Sequence, residues 1–367
     1  MAIDKERIGV GEAVVLAVVF VVAKVFLTFP ASMVNLGLSS AWLVTLIAMV
    51  SSILAFIPIV LLMYRFPEKS IVEVGEYLVG PYANTAFFLG YLAFIVAVES
   101  MVLRQFAERA ITVSNPELPI SVAMVGMVLG AAVACYLGLE SIARSARIAF
   151  IFVGGLFFLV VAATYPYWKV NNLFPYLGPG VLQIMSGGIA RISIASEIFL
   201  LAIIYPSIKI SRSFSIWRLS STSLVISGII LVVTVFTYQL AFPVPVAQEI
   251  PLPTFEMARL ISFGRFVQRL EPIFLPMWGL AALLKLTIGL YAMLALITSF
   301  LKLPYYRPFI LPLAVITMSL AFIPPNVSTA LMIDETVIRT WGWIPTFALP
   351  VILLAVATWR RKGLKPE

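Results

Sequence analysis

Apolar residues fill this chain in long runs, separated by short polar, glycine-rich and proline-rich breaks. A helix needs roughly 20 apolar residues to cross a bilayer. Runs of that length predict ten membrane spans, at about 9–36, 41–63, 82–110, 120–138, 142–165, 187–208, 219–242, 271–300, 308–324 and 341–359. In hydrocarbon every backbone N–H and C=O must be satisfied within the protein, so such runs fold as helices. The short alternating segments of a β-barrel are absent from the sequence. The expected fold class is therefore an all-α polytopic membrane protein, with 1–367 forming a single transmembrane domain.

Two runs break this pattern. Span 1 contains "FVVAKVFLTFPASM" (20–33), with Lys24 and Pro30 inside the apolar stretch. Pro30 lacks an N–H and crowds the preceding turn, so the carbonyl of Phe26 loses its helical donor. Thr28, water or a ligand could replace that donor. A lysine at the centre of a span costs roughly +2.5 to +3.5 kcal/mol on insertion scales. The two oddities explain each other if this stretch lines a polar cavity. The competing reading is a proline kink with Lys24 paired to a glutamate for structure only.

Span 6 reads "GGIARISIASEIFLLAIIYPSIK" (187–209): Ser193 and Ser196 flank Glu197, and Pro206 follows. An intramembrane carboxylate is a functional candidate by default. Lys24 or Lys285 could equally satisfy it. The echo of "LTFPAS" in "IIYPSI" is the kind of hint that inverted repeats with broken first helices leave behind. It suggests two five-helix repeats, 9–165 and 187–359. Glu99 and Arg104 in span 3 and Lys285 in span 8 are the other charges within spans. Arg104 stands four residues from Glu108 and Glu140 four from Arg144, the spacing of helical ion pairs. A lysine at 285 could occupy the space a coupling cation would fill, or titrate. The outer connection 243–270 reads as an amphipathic segment, either a lid or a packing loop.

Composition narrows the function. Of the 367 residues 62% are hydrophobic and 11% charged, and the mean hydropathy is +1.06. Soluble domains carry roughly 25% charged residues. Histidine is absent and Cys135 is the one cysteine. That excludes an internal disulfide, a His/Cys zinc site and a Ser-His-Asp triad, so neither an enzyme nor a cofactor or metal site is expected. The net charge of +8 does not point to nucleic acid, because the basic residues cluster at loop ends. With both termini cytoplasmic, 15 Lys and Arg fall inside, 6 outside (Arg339 among them) and 4 within spans. No cleavable signal peptide is expected, because the first apolar run is too long for one.

"GLESIAR" after span 4, "NLFPYLG" at 172–178, the block "RLEPIFLPMWGLAALLKLTIGLYAMLALITSFLKLPYYRPFILPL" at 269–313 and "FIPPN" at 322–326 occur in an order and spacing that resembles the spore germination permease family. These are the B subunits of endospore germinant receptors, in the amino acid–polyamine–organocation superfamily. The resemblance implies a LeuT-type 5+5 inverted repeat with helices 1 and 6 broken and a small ligand, usually an amino acid, at the midplane between them. It also implies a larger A subunit and a lipoprotein C subunit as partners, in the inner membrane of the endospore. Superfamily transporters break helix 1 at a glycine-rich run ending in Pro. Here Pro30 matches, while Ala23 and Val25 stand at glycine positions. The Glu after the helix 6 break matches Glu197. The expected ligand-binding set is Lys24, Val25, Thr28, Glu99, Ser193, Ser196 and Glu197, with Lys24 and Lys285 coupling to or substituting for an ion. Pocket polarity set by Glu99, Glu197 and Lys24 favours a zwitterion; an unpaired Lys24 would favour an anion. The expected function is a germinant-sensing subunit of a spore germination receptor, and the alternative is a proton-coupled amino-acid transporter.

Overall fold

The computed structural model describes residues 7–114, 117–209, 216–261 and 271–362. Its apolar runs are helical, as backbone satisfaction in hydrocarbon requires. A two-residue strand, β1 (Ile8–Gly9), leads into α1 (Val10–Val22), which tightens into a 3-10 turn over Ala23–Phe26 and stops. Leu27 is extended, and α2 (Phe29–Gly37) restarts with Pro30 in its first turn, where a missing N–H costs nothing. Helices α3 (Ala41–Arg65), α4 (Ile71–Val79), α5 (Pro81–Ser114), α6 (Ile120–Leu137) and α7 (Leu139–Ala163) complete the first half. Ser70 and Glu73 form a reciprocal capping box at the start of α4.

The second half opens with another broken helix. Here α8 (Val181–Ala190) gives way to a 3-10 stretch, Ile192–Phe199, with non-helical backbone at Ala195, and then to α9 (Leu200–Ile203). Strand β2 (Ile208–Lys209) follows and pairs in parallel with β1, Ile8 opposite Ile208. The near ends of the two broken helices are thus tied by backbone hydrogen bonds. Next come α10 (Ile216–Ala241), α11 (Val244–Glu249), α12 (Pro253–Leu260), α13 (Glu271–Leu301) and α14 (Ile310–Ala321). Last are α15 (Val327–Ile333), α16 (Arg339–Trp341) and α17 (Leu349–Trp359), joined through two π-helical turns, Asp334–Ile338 and Ile344–Ala348.

Among the described residues, eight helical stretches are long and apolar enough to cross a membrane. One of them, Phe29–Arg65, runs through α2 and α3. The first expected span therefore divides at the break, and α14 is only 12 residues long. The last span begins earlier than expected: the apolar stretch runs Val327–Trp359, because the π turns carry the helix onward through the charged segment. Of the eight, α13 is the most enclosed, packed against α1, α5, α6 and α7. Its polar positions therefore face protein rather than lipid.

Of the segment read as a lid or packing loop, α11 and α12 are folded, with α12 against α13 and the 23–26 turn. Residues 262–270, including Phe266, Val267, Arg265 and Arg269, lie outside the described residues. Two expected local ion pairs are present: Arg104–Glu108 at 2.9 Å and the exposed Arg144–Glu140 at 3.5 Å.

Candidate functional site

The break in the first broken helix frees backbone carbonyls, and two distant side chains take them. Trp278 on α13 donates its indole N–H to the Phe26 carbonyl at 3.0 Å. The hydroxyl of Thr254 on α12 donates to the Val25 carbonyl. These caps replace the expected Thr28, water or ligand. They stabilise the break because a buried carbonyl left without a donor costs about 1–3 kcal/mol. Aromatic rings close the same region: Phe26 meets Phe157 and Phe274 edge-on, each at 6.0 Å between centroids.

The two breaks lie side by side and are joined by charge. Lys24 Nζ reaches across to the second break, donating to the Ile194 carbonyl at 2.5 Å and to Glu197 Oε2 at 2.8 Å. Lys285 on α13 donates to the Phe20 carbonyl at 3.0 Å and to Glu197 Oε1 at 3.4 Å, 4.6 Å above the Phe20 ring. A third cation, Arg339 on α16, donates Nη1 to Glu197 Oε1 at 3.1 Å. One carboxylate thus holds three buried cations from three separate helices. Such a cluster contributes little net stability, because desolvation offsets the attraction, but removing its central anion is expensive.

The network extends outward from Arg339. Its Nε faces Asp334 Oδ1 at 3.3 Å, Arg191 pairs with Glu335 Oε2 at 2.6 Å, and Ser32 donates to Glu335 Oε1 at 2.6 Å. A cavity of about 30 Å³ lies against these groups, bordered by Lys24, Thr28, Gln105, Arg191, Asp334 and Arg339.

The expected ligand-binding residues divide between this cavity and its surroundings. Lys24 and Thr28 border it. Val25 lines a separate apolar cavity of about 50 Å³, beside Phe26, Phe157 and Ala281. Ser193 donates its hydroxyl to the Arg339 carbonyl and so holds the network in place. Ser196, whose hydroxyl has no partner among the described residues, and Glu197 face a space of about 10 Å³ near Phe20. Glu99 is fully buried with neither oxygen hydrogen-bonded among the described residues, its side chain laid over Gly289 one turn from Lys285.

Sequence reasoning placed Arg339 outside the membrane, whereas it is 9% exposed and paired with Glu197. It also passed over Asp334, Glu335, Gln105 and the pairing of Arg191. One signal was available: Asp334 and Arg339 stand five apart in "IDETVIR", the repeat of a π turn, between apolar flanks on both sides.

The family model described as "Spore germination protein" matches residues 7–330. The chain belongs to that family. "Spore germination protein KB" of Bacillus subtilis (strain 168) is 22% identical over 369 residues, covering 98% of this chain and 96% of the relative. "Spore germination protein YndE" of the same organism is 24% identical over 371 residues, covering 98% of each.

Solved structures of transporters share the fold. MHP1, a nucleobase-cation-symport-1 family transporter in a closed conformation, matches with a TM-score of 0.70 at 12% identity, over 98% of this chain and 80% of that one. A Na+-coupled sialic acid symporter in its outward-open state gives 0.60 at 11% identity, over 95% and 78%. The fold is therefore that of the LeuT-type transporters, in which the first and sixth helices are interrupted, and the breaks at 27–28 and around Ala195 are this chain's versions of them.

Proposed function

We propose that the chain is a germinant-sensing subunit of a spore germination receptor, binding a small ligand, an amino acid, between its two broken helices. The observation that carries this reading is the junction itself. Lys24 and Glu197 bind the breaks together at 2.8 Å, beside a cavity with polar groups to spare. A ligand that competes for Lys24 or Glu197 would alter how the two helices are held, and binding would shift the population between two arrangements. Partner subunits, an A subunit and a lipoprotein C subunit, would read that shift in the inner membrane of the endospore, with both termini of this chain cytoplasmic.

Lys285 fits such a role. Its ammonium lies between the Phe20 carbonyl and Glu197, where it acts as a built-in cation and removes the need for a bound coupling ion. A sensor needs no ion gradient, whereas a concentrating transporter does.

The second reading, a proton-coupled amino-acid transporter, draws support from transporter structures that share the fold over nearly the whole chain. Proteoliposomes separate the two. With purified full-length chain, the sensor reading expects saturable binding of one or more labelled amino acids without concentrative uptake. Sustained uptake driven by a pH gradient would establish the transporter. In spores, Lys24→Ala is expected to abolish the ligand response while the receptor still assembles; a normal response would remove Lys24 from the site.

A further inference from the structure

The apolar cavity of about 50 Å³ lies on the other side of the first break from the charges. Its walls come from α1, α7, α10 and α13, and every lining residue is Val, Ala, Leu, Ile, Phe or Gly. Ala23, Val25 and Phe26 of the 3-10 turn border it, whereas Lys24 of the same turn borders the charged cavity. The Val25 and Phe26 carbonyls are capped by Thr254 and Trp278. Water entering here would find no partner, and apolar cavities of this kind stay dry.

Position identifies what does enter. Val153 and Gly154 fall at the centre of the Leu139–Tyr167 span, Ile230 lies near the centre of Ile216–Ala241, and Leu284 lies near that of Phe274–Leu301. The middle of a span is the level of the acyl chains, with the headgroups at its ends. On α7 the neighbours Ile151, Phe152 and Phe158 are 67%, 71% and 72% exposed, which in a membrane span means facing lipid. The half-buried Phe150, Val153 and Gly154 join that face to the cavity. Gly154 leaves a gap there: a Cβ added to it would meet no neighbouring atom within 4 Å.

Size and energetics fit a single chain. At roughly 10–15 Å³ per water-sized group, the space takes about four such groups. That is a few methylenes of one chain and too little for a fused-ring lipid. Between protein and lipid no water is displaced, so the gain is dispersion: an empty gap forfeits contacts that a methylene restores.

We propose that this groove is a binding site for one acyl chain of the surrounding bilayer, seated near its methyl end against the turn that breaks the first helix. The membrane then forms one wall of that turn, and the Lys24–Glu197 pair holds the other. Recognition is by shape and apolarity at mid-depth and involves no headgroup.

The test uses the full chain in nanodiscs whose phospholipid carries a diazirine near the methyl end of one chain. After photolysis, mass spectrometry locates the inserted label. Wild type is expected to be labelled on the lipid face, at Ile151 and Phe152, and also inside the groove, at Val22 and Phe26. Gly154→Phe places a ring in the gap and should lose the label at Val22 and Phe26 while keeping it at Ile151 and Phe152. Gly154→Leu is a smaller plug with the same expected sign. Gly155→Phe, at an exposed position outside the lining, adds equal bulk and should change neither. Each variant is read only with the unfolding temperature of wild type. Label at Ile151 and Phe152 but none at Val22 or Phe26 in wild type overturns the proposal and leaves the groove to a partner's side chain. Undiminished label at Val22 and Phe26 in both folded plugs overturns it as well.

Discussion

Glu197→Gln is the substitution that tests the charged junction most severely. It keeps the shape of the side chain and deletes its charge. The wild-type carboxylate is 1% exposed and lies 2.8 Å from Lys24, 3.1 Å from Arg339 and 3.4 Å from Lys285. Removing one partner of a buried pair costs about 3–5 kcal/mol, because a charge is left in low dielectric without its counterion. Three cations are affected here, yet each keeps one other partner: the Ile194 carbonyl for Lys24, the Phe20 carbonyl for Lys285 and Asp334 for Arg339. The loss is therefore not three times that of one pair, and the expected cost lies at the upper end of the range. Denaturant unfolding in mixed micelles measures it. Lys24→Met in the same background should recover part of the loss, since it deletes one of the stranded charges, and the double-mutant cycle gives the coupling. A Glu197→Gln chain within ~1 kcal/mol of wild type, as for an exposed ion pair, would refute the claim that the junction is buried and mutually dependent.

Two further substitutions probe the packing around it. In Gly289→Ala the new Cβ would lie 2.3 Å from Glu99 Cδ, with both residues enclosed, so overpacking should cost about 1–3 kcal/mol; Gly126→Ala, with nothing within 4 Å of its Cβ, is the neutral comparison in the same unfolding assay. Trp278→Phe keeps an aromatic ring but loses the larger indole and its donor to Phe26, which should cost at least about 1–3 kcal/mol. It should also speed amide exchange over residues 23–29, measured by hydrogen–deuterium exchange; unchanged exchange there would mean the cap is not what holds the break.

Much of the fold was legible because hydrocarbon leaves few choices. Long apolar runs had to be helices, and Pro30 marked an interruption, just after which α2 restarts. Lys24, Glu197 and Lys285 stood out for the same reason, as ionic groups in apolar runs, and the structure joins all three. Arg339 was misplaced because "DETVIRTW" carries enough charge to resemble a loop, and hydropathy does not register a π turn. The carbonyl caps were invisible for another reason. Thr254 and Trp278 lie 229 and 252 residues from their acceptors, and local sequence carries no record of such pairings. Val25 was expected beside a ligand because the resemblance set it at a glycine position of the helix 1 break, but its carbonyl is capped by the Thr254 hydroxyl. It borders a separate apolar cavity.

The most direct test of the central claim fills the space between the breaks. Thr28 is half-buried and borders the cavity, and its hydroxyl makes no hydrogen bond within the described residues, so replacing the side chain breaks no bond of the charged network. Equilibrium binding of a panel of labelled amino acids to wild type, Thr28→Val and Thr28→Trp, each checked for an unaltered unfolding temperature, gives the answer. The account predicts saturable binding to wild type, weaker binding to Thr28→Val and none to a folded Thr28→Trp. Undiminished binding to folded Thr28→Trp would place the ligand elsewhere and contradict the account.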